Sequence, residues 1–140
     1  MRIAIAVARF NRDITEQLLD GAEKTLRKLG AAQVDVYWVP GAYELPVTAH
    51  RLASGDGVDA VIAIGAVIRG ETAHFEYVAG ECASGLTRAS LDTGKPVIFG
   101  VLTVDTHQQA LDRVGGKDGH KGEEAAETAV EMVSLLRALP

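Results

Sequence analysis

The sequence lacks three features that would set it apart from an ordinary globular protein. It has one cysteine among 140 residues, which excludes an internal disulfide framework and suits a reducing compartment. No apolar run approaches the roughly 20 residues that a transmembrane helix needs. The first strand-like run starts almost at Met1, without the layout of a signal peptide. We therefore expect a cytoplasmic protein with no membrane partner.

Positive charge is also scarce. The chain has 14 Lys and Arg against 19 Asp and Glu, for a net charge of −5, whereas nucleic-acid binding rewards clustered cations. Neither the Walker lysine pattern nor G-x-G-x-x-G occurs, so nucleoside triphosphates and dinucleotides lack their usual signatures. No His or Cys pair has the spacing of a metal site. We predict no nucleic-acid partner, no metal and no cofactor.

The composition that remains is that of a globular domain, and we expect one domain over residues 1–140. Hydrophobic residues make up 47% and charged residues 24% of the chain. Apolar runs predict strands at Arg2–Ala8, Val34–Val39, Val58–Ile68 and Pro96–Thr103. Because helical patterns separate them, we predict an α/β three-layer sandwich with a central four-stranded parallel sheet, flavodoxin-like in architecture.

The predicted helices have recognisable starts and stops. The first carries an apolar stripe and ends before Gly30, a C′ residue. The stripe consists of Ile14, Leu18, Leu19, Ala22, Leu26 and Leu29. The others are expected at Pro46–Ser54, at Ala73–Leu91 with Val78, Cys82, Leu86 and Ala89 inward, in a short segment with Ala110, Leu111 and Val114, and at Glu123–Ala138 with Ala126, Val130 and Val133 inward. Asp105 or Thr106 caps the short helix, and the glycine-rich loop 115–122 ends it.

Each strand exit contains a residue that a simple connector would not need. These are Phe10, Glu44, His74 and Phe99. Ligands of open α/β sheets bind outside the carboxyl ends of the strands. We therefore expect these four residues to converge on one edge of the sheet.

The segment Gly70–Thr72 directly precedes a predicted helix. Free N–H groups, the helix dipole and the Thr72 hydroxyl would form an anion site there, whereas the alternative interpretation of Thr72 is a helix cap, and both can hold together. His74 follows in the first turn, where an imidazole either exchanges protons near neutral pH or is a surface or capping residue. His50, His107 and His120 are weaker candidates.

Local sequence leaves the other candidate residues open. Glu44 either satisfies a helix N-terminus or, with the N–H groups of Gly41 and Ala42, binds hydroxyls of a polyol. Phe10 either stacks on a flat heterocycle or packs onto the core. Arg113 and Lys121 flank a glycine-rich loop and are either solvated or phosphate ligands.

Five segments together resemble the lumazine synthase family, in its order and spacing. They are ARFN, VPGAYELP, IGAVIRGETAHFEYV, PVIFGVLT and GGKDGHKGEEAAE. The resemblance covers essentially the whole chain. It implies a transferase of riboflavin biosynthesis that condenses 5-amino-6-(D-ribitylamino)uracil with 3,4-dihydroxy-2-butanone 4-phosphate. The products would be 6,7-dimethyl-8-ribityllumazine, inorganic phosphate and water.

The resemblance also implies roles for particular residues. On the ribitylaminouracil side, Phe10 would stack on the pyrimidine, Ala42, Tyr43 and Glu44 would hold the ribityl chain, and the backbone of Ala66, Val67 and Ile68 would bind the uracil edge. On the phosphate side, the ligands would be the Glu71 backbone, Thr72 and Arg113. His74 matches the family's proton-transfer residue and Lys121 its lysine near the site. Phe99 and Arg113 would come from the neighbouring subunit.

The same resemblance implies a homopentamer. The short loop GGKDGHKG is similar to that of members that assemble twelve pentamers into an icosahedral capsid of 60 subunits, and riboflavin synthase is then a candidate partner. The abrupt start at the first strand, where many relatives have a longer segment, points the other way. His120 stands where the family usually has Asn. Two other functions remain open: a flavin- or pteridine-binding carrier without catalysis, and a structural shell protein.

Overall fold

A computed structural model describes all residues of the chain, Met1–Pro140. Its main sheet has four parallel strands in the order β2-β1-β3-β4. The strands are β1 (Arg2–Ala8), β2 (Gln33–Val39), β3 (Ala60–Ile68) and β4 (Val97–Val104). This order matches the first four strands of the flavodoxin arrangement. The predicted fold class is confirmed.

Helices cover both faces of this sheet and complete the three layers. They are α1 (Arg12–Lys28), α2 (Leu45–Ala53), α3 (His74–Thr93), α4 (His107–Leu111) and α5 (Lys121–Ala138). One core cluster joins the sheet to α1, α4 and α5, and the other joins it to α2 and α3. Both faces of β1 and β3 are therefore buried, which explains their continuous apolar runs. None of the helices is long and apolar enough to cross a bilayer.

Strand β1 shows how the sequence assigns a side chain to each face. Its alternate residues Ile3, Ile5 and Val7 lie in the core beneath α1 and α5. The intervening residues are alanines, and they lie in the core beneath α2 and α3. The strand thus alternates between large and small side chains, rather than apolar and polar ones, because neither face meets water.

Most predicted helix ends lie within two residues of the observed ones, but Leu29 was wrongly placed in the buried stripe. Gly30 has φ 83° and terminates α1 as expected. Leu29 is the C-cap residue, past the last turn of α1, and is 47% exposed. Thr106, not Asp105, caps α4, in a reciprocal pair of hydrogen bonds with Gln109.

The segment after α4 differs most from the prediction. A small antiparallel hairpin, β5 (Val114–Gly116) and β6 (Gly119–His120), occupies most of what we expected to be plain loop, and Val114 belongs to it rather than to α4. Positive φ angles at Gly115 and Gly119 permit this tight reversal. Helix α5 then begins at Lys121, two residues earlier than expected, because His120 Nδ1 accepts the N–H of Glu123 at 3.2 Å.

Candidate active site

A cavity of about 430 Å³ lies at the carboxyl ends of β1, β2 and β3. The loops after these strands and the first turns of α3 form its walls. Its lining consists of Phe10, Gly41, Ala42, Tyr43, Glu44, Ala66, Val67, Ile68, Gly70, Thr72, His74, Phe75 and Val78. This volume lies within the range of about 300–1,000 Å³ typical of small-molecule sites. Most residues predicted for the ribitylaminouracil side therefore share one concave surface.

Phe10 lines this cavity and does not pack into the core, since it is 70% exposed. Its N–H donates to Pro40 O at 3.1 Å, which ties the loop after β1 to the loop after β2. The next residue, Asn11, has the left-handed conformation at φ 59° and begins α1. The structure thus leaves the phenyl ring free to contact a ligand.

Glu44 ends a single 3₁₀ turn, Ala42–Glu44, that precedes α2. Its carboxylate accepts no hydrogen bond within the chain and does not cap α2. The carboxylate lies beside Gly41: a Cβ atom added to that glycine would be 3.5 Å from Oε2. The N–H groups of Gly41, Ala42 and Tyr43 donate no backbone hydrogen bond. An unpaired carboxylate beside unpaired donors is suited to a ligand with several hydroxyl groups.

Strand β3 extends beyond its neighbour β1, and this exposes part of one edge. The last β1 pairing is Val7 with Ile64. Beyond it, Ala66 O accepts a hydrogen bond from Asn11 Nδ2 at 2.8 Å. The N–H and C=O of Ile68 face the same open edge, and neither has a partner within the chain. Ile68 therefore presents one donor and one acceptor to the cavity.

The peptide groups of Val67 point away from this edge. Successive residues of a strand direct their peptide groups to opposite sides. The N–H groups of Val61 and Arg69 donate toward β4, to Pro96 O at 2.9 Å and Val104 O at 2.8 Å. Val67 has the same parity, so its peptide groups belong to the β3–β4 ladder. Of the three residues expected to bind the uracil edge through their backbone, Ile68 has the clearest unpaired groups.

The loop from Gly70 to Ala73 leaves its N–H groups free. Ala73 occupies the N-cap position of α3 without a side-chain cap. The Thr72 hydroxyl accepts only a long hydrogen bond, 3.4 Å, from the N–H of His74. The N–H groups of Glu71, Thr72 and Ala73 donate no hydrogen bond. Unpaired N–H groups at a helix N-terminus with a neighbouring hydroxyl form an anion-binding geometry. We therefore call residues 70–73 the anion loop. Within it, Thr72 combines a weak cap with a candidate anion ligand.

Two expected residues at this loop have exposed side chains. Glu71 lies outside the cavity lining, and only its backbone is part of the anion loop. His74 is the first residue of α3 and lines the cavity. The imidazole of His74 makes no hydrogen bond or ion pair within the chain. It is therefore accessible for proton transfer with a bound molecule.

Arg69 was not singled out from the sequence, yet it organises this region. Its Nη1 lies 2.6 Å from Glu76 Oε1, and its Nε lies 2.9 Å from Asp105 Oδ1. Its guanidinium lies 4.4 Å from the ring centroid of Phe75. The hydrogen bonds to Asp105 and then Glu76 raise the pKa of Arg69, and the same arginine lowers the pKa of Glu76.

The remaining expected residues lie elsewhere, in a groove of about 600 Å³ along β4. We call it the β4 groove; its lining includes Phe99, Arg113, Lys121, Glu124 and Thr128. The expectation that Phe99 converges with Phe10, Glu44 and His74 was wrong for a single chain. Phe99 is the third residue of β4 and pairs with Ala63. Because β4 continues to Val104, Phe99 does not lie at the carboxyl end of its strand.

Both cations of the β4 groove are held by neighbouring groups. Arg113 Nη1 donates to Gln109 O at 2.9 Å and lies 3.3 Å from Asp118 Oδ2. Lys121 Nζ lies 3.1 Å from Glu124 Oε2. The cavity itself has no Arg or Lys in its lining. In one chain, therefore, the expected phosphate arginine and the anion loop belong to two different depressions.

The other titratable candidates have structural surroundings. His107 Nε2 lies 2.7 Å from Asp13, and this hydrogen bond lowers the pKa of Asp13. His50 is on the exposed face of α2, 3.9 Å from Asp92. Cys82 is buried in the core, as predicted, and burial raises its pKa to about 11. No three His, Cys, Asp or Glu side chains are grouped to hold a metal ion.

Together, the fold and the cavity define a flavodoxin-like protein with a cavity of small-molecule size at the carboxyl edge of its sheet. An exposed phenyl ring, an open strand edge, an unpaired carboxylate and an anion loop suit a flat, hydrogen-bonding ring, a polyol and a phosphate.

Comparison with known proteins specifies the family. The family model described as 6,7-dimethyl-8-ribityllumazine synthase matches residues 1–137. The chain is 58% identical to the 6,7-dimethyl-8-ribityllumazine synthase of Thermus thermophilus and 55% identical to that of Edwardsiella ictaluri. It is 54% identical to the enzyme of the same name from Yersinia pestis strain Pestoides F. Each alignment covers 99% of this chain and 90% of the relative. The chain belongs to the 6,7-dimethyl-8-ribityllumazine synthase family.

Proposed function

We propose that this chain, as one domain over residues 1–140, carries out the reaction of its family at the cavity beside β3. It is an enzyme, a transferase of riboflavin biosynthesis. It joins 5-amino-6-(D-ribitylamino)uracil to 3,4-dihydroxy-2-butanone 4-phosphate and releases 6,7-dimethyl-8-ribityllumazine, phosphate and water. The observation that carries this proposal is the single cavity that combines Phe10, Glu44, Thr72 and His74.

The pyrimidine substrate fits the part of the cavity next to β1. Phe10 stacks on the ring, and the free N–H and C=O of Ile68 pair with the donor and acceptor of the uracil edge. Glu44 and the free N–H groups of Ala42 and Tyr43 bind the ribityl hydroxyls. Support for this orientation comes from the unpaired state of these groups, since an unpaired polar group gains most from a complementary ligand.

The phosphate substrate fits the opposite end, at the start of α3. The N–H groups of Glu71 and Thr72, with the Thr72 hydroxyl, receive the phosphate. In the proposed arrangement the ketone end of this substrate points toward the amine of the bound pyrimidine. His74 lies beside the same loop and transfers protons.

The reaction needs orientation more than strong acid–base catalysis. Amine attack on the ketone gives a carbinolamine, which loses water to form an imine. Elimination of phosphate then leaves an enol that tautomerises to a second ketone. The ribitylamino nitrogen attacks this ketone, and a second water leaves as the ring closes. Holding two reactants in one geometry supplies up to about 7–11 kcal/mol of a barrier, and one general acid or base a rate factor of about 10²–10⁴.

A second subunit would complete the site. The cavity lacks a cation in its lining, whereas the β4 groove has Arg113 and Lys121 with Phe99 but no anion loop or histidine. We propose a pentameric ring in which the β4 groove of one subunit closes the cavity of the next. Arg113 then joins the phosphate site, and Phe99 and Lys121 join the pyrimidine side.

Larger assemblies and location extend this proposal. A capsid of twelve pentamers with riboflavin synthase as enclosed partner remains a prediction from the short hairpin loop. The cytoplasmic location expected from the single cysteine also stays a prediction.

Incubation with both substrates tests the proposed function. We expect the absorbance and fluorescence of the lumazine product to appear together with equimolar inorganic phosphate, faster than in the same mixture without protein, and no lumazine to appear when one substrate is omitted. Sedimentation of the same sample should show a species of at least five subunits. A tightly bound yellow ligand without turnover would favour a carrier instead, and catalysis by a monomer would contradict the shared site.

A further inference from the structure

The anion loop has almost no hydrogen bonds of its own. From Gly70 to Ala73, the only hydrogen bond that involves a loop side chain is the 3.4 Å contact of Thr72 with the N–H of His74. All four loop residues are exposed, and a side chain added to Gly70 would meet nothing within 4 Å. Contacts within such a segment are too few to hold it in one conformation. Its geometry must come from the residues at its two ends.

Arg69 joins those two ends. It is the last residue before the loop, and its N–H donates to Val104 O at 2.8 Å, which anchors it to β4. Its Nη1 reaches Glu76 Oε1 at 2.6 Å, across the loop and inside the first turn of α3. The same guanidinium lies over Phe75, whose ring lines the cavity. The entry and exit of the anion loop are therefore held by one side chain.

The second branch of the guanidinium attaches this unit to a fixed point. Arg69 Nε lies 2.9 Å from Asp105 Oδ1, immediately after β4. The backbone N–H of Asp105 donates to Gln109 Oε1 at 2.7 Å, and the N–H of Gln109 donates to Thr106 Oγ1 at 3.1 Å. The backbone of Asp105 is thus tied to the capping box of α4, in which Thr106 and Gln109 bond each other reciprocally.

We propose that Arg69 is the positioning residue of the anion loop. It sets the spacing between Thr72 and His74 because it pairs with Glu76 and Asp105 at the same time. The inference rests on the proposed function, because it assigns this loop to the phosphate-bearing substrate. Only an arginine presents two donor branches in one plane to two carboxylates, so a lysine would hold one of them at a time. Arg69 does not line the cavity, and its role is exerted through the loop.

The test compares Arg69→Ala and Arg69→Lys with the wild-type enzyme in steady-state kinetics, with inorganic phosphate as a competing inhibitor. Loss of positioning by about 1 Å costs up to roughly a hundredfold in rate. For Arg69→Ala we expect the KM of the phosphate substrate and the inhibition constant of inorganic phosphate to rise together by about tenfold or more, and Arg69→Lys to fall between. The KM of ribitylaminouracil should stay within about twofold of the wild-type value.

Arg137→Ala is the matched control. Arg137 pairs with Asp59 at 3.2 Å, an arginine–aspartate contact at the opposite end of β3. A merely structural loss of folded protein lowers the apparent turnover and leaves both phosphate constants unchanged. The control variant should show at most that pattern.

Unchanged phosphate constants in Arg69→Ala would overturn the inference. If that variant does not fold, Asp105→Asn and Glu76→Gln each remove one arm of the pair while Arg69 remains. A rise in the phosphate inhibition constant in at least one of them is expected, and no change in either would overturn the inference as well. A wild-type protein that forms no product from the two substrates would instead refute the proposed function.

Discussion

The cavity beside β3 and the β4 groove are complementary in their chemistry. The cavity has unpaired groups: the Glu44 carboxylate, the Ile68 peptide and the His74 imidazole make no hydrogen bond within the chain through these groups. In the β4 groove, by contrast, Arg113 and Lys121 are each paired with a carboxylate. One depression can bind a neutral polar ring, and the other carries the positive charge that a phosphate needs.

This difference supports the proposal that a second copy of the chain completes the active site. Apolar residues are exposed at both places, with Phe10 at 70% and Phe99 at 46% exposed. The two unpaired edges of the sheet, β2 and β4, also lie at opposite sides. A head-to-tail contact between copies brings unlike surfaces together and closes into a ring when the rotation permits. The division of chemistry between two depressions is the feature that such a ring would use.

The largest effect is expected from the loss of Arg113, the phosphate ligand proposed for the groove. Arg113→Ala removes charge-assisted hydrogen bonds worth about 1.5–3 kcal/mol, so the KM of the phosphate substrate should rise by roughly tenfold to a hundredfold. The KM of ribitylaminouracil should change little. Steady-state kinetics with each substrate varied in turn measures both, with Arg27→Ala, an exposed arginine of α1, as control. An unaltered KM for the phosphate substrate would remove Arg113 from the site.

On the cavity side, the corresponding change should reduce turnover rather than binding. His74→Ala removes a proton-transfer group, and we expect kcat to fall by roughly tenfold or more without being abolished, because orientation supplies most of the rate. His50→Ala, on the exposed face of α2, is the matched control. Single-turnover rates at saturating substrates measure the effect. If kcat is the same in His74→Ala and the wild type, His74 has no part in the mechanism.

A smaller effect, on the free energy of unfolding, is expected at the start of α5. His120 caps α5 through Nδ1, and its ring occupies the space where a side chain on Gly21 would lie. His120→Ala should lower the free energy of unfolding by about 1–2 kcal/mol, while His120→Asn keeps an N-cap acceptor and loses less. Urea unfolding of the two variants gives the comparison. Equal stability of His120→Ala and wild type would show that this cap does not stabilise α5.

Much of the fold could be predicted because its signals are local. The bounds of β1 were predicted to the residue, since a fully buried parallel strand is a short continuous apolar run. Gly30 and the Thr106 cap are likewise local signals. The β5–β6 hairpin was missed because two strands of three and two residues give no periodic pattern and depend on glycine φ angles.

The candidate site was predictable where loops carry unusual residues, and not where its support comes from distant parts of the chain. Phe10, Glu44 and His74 stood out at strand exits and do meet in one cavity. Asn11 and Arg69 did not stand out, because their partners are 55 and 36 residues away. Phe99 was misplaced because it was grouped with the strand exits, although the predicted strand Pro96–Thr103 already continues past it, as β4 does.

Co-expression of two defective variants tests the shared site most directly. One variant carries Phe10→Ala and His74→Ala in the cavity, and the other carries Arg113→Ala in the β4 groove. In mixed rings assembled from equal amounts, about a quarter of the contacts pair an intact cavity with an intact groove, so about a quarter of wild-type activity should return at low phosphate-substrate concentration. Activity no higher than the average of the two separate variants would show that each chain contains its whole site, in contradiction to this account.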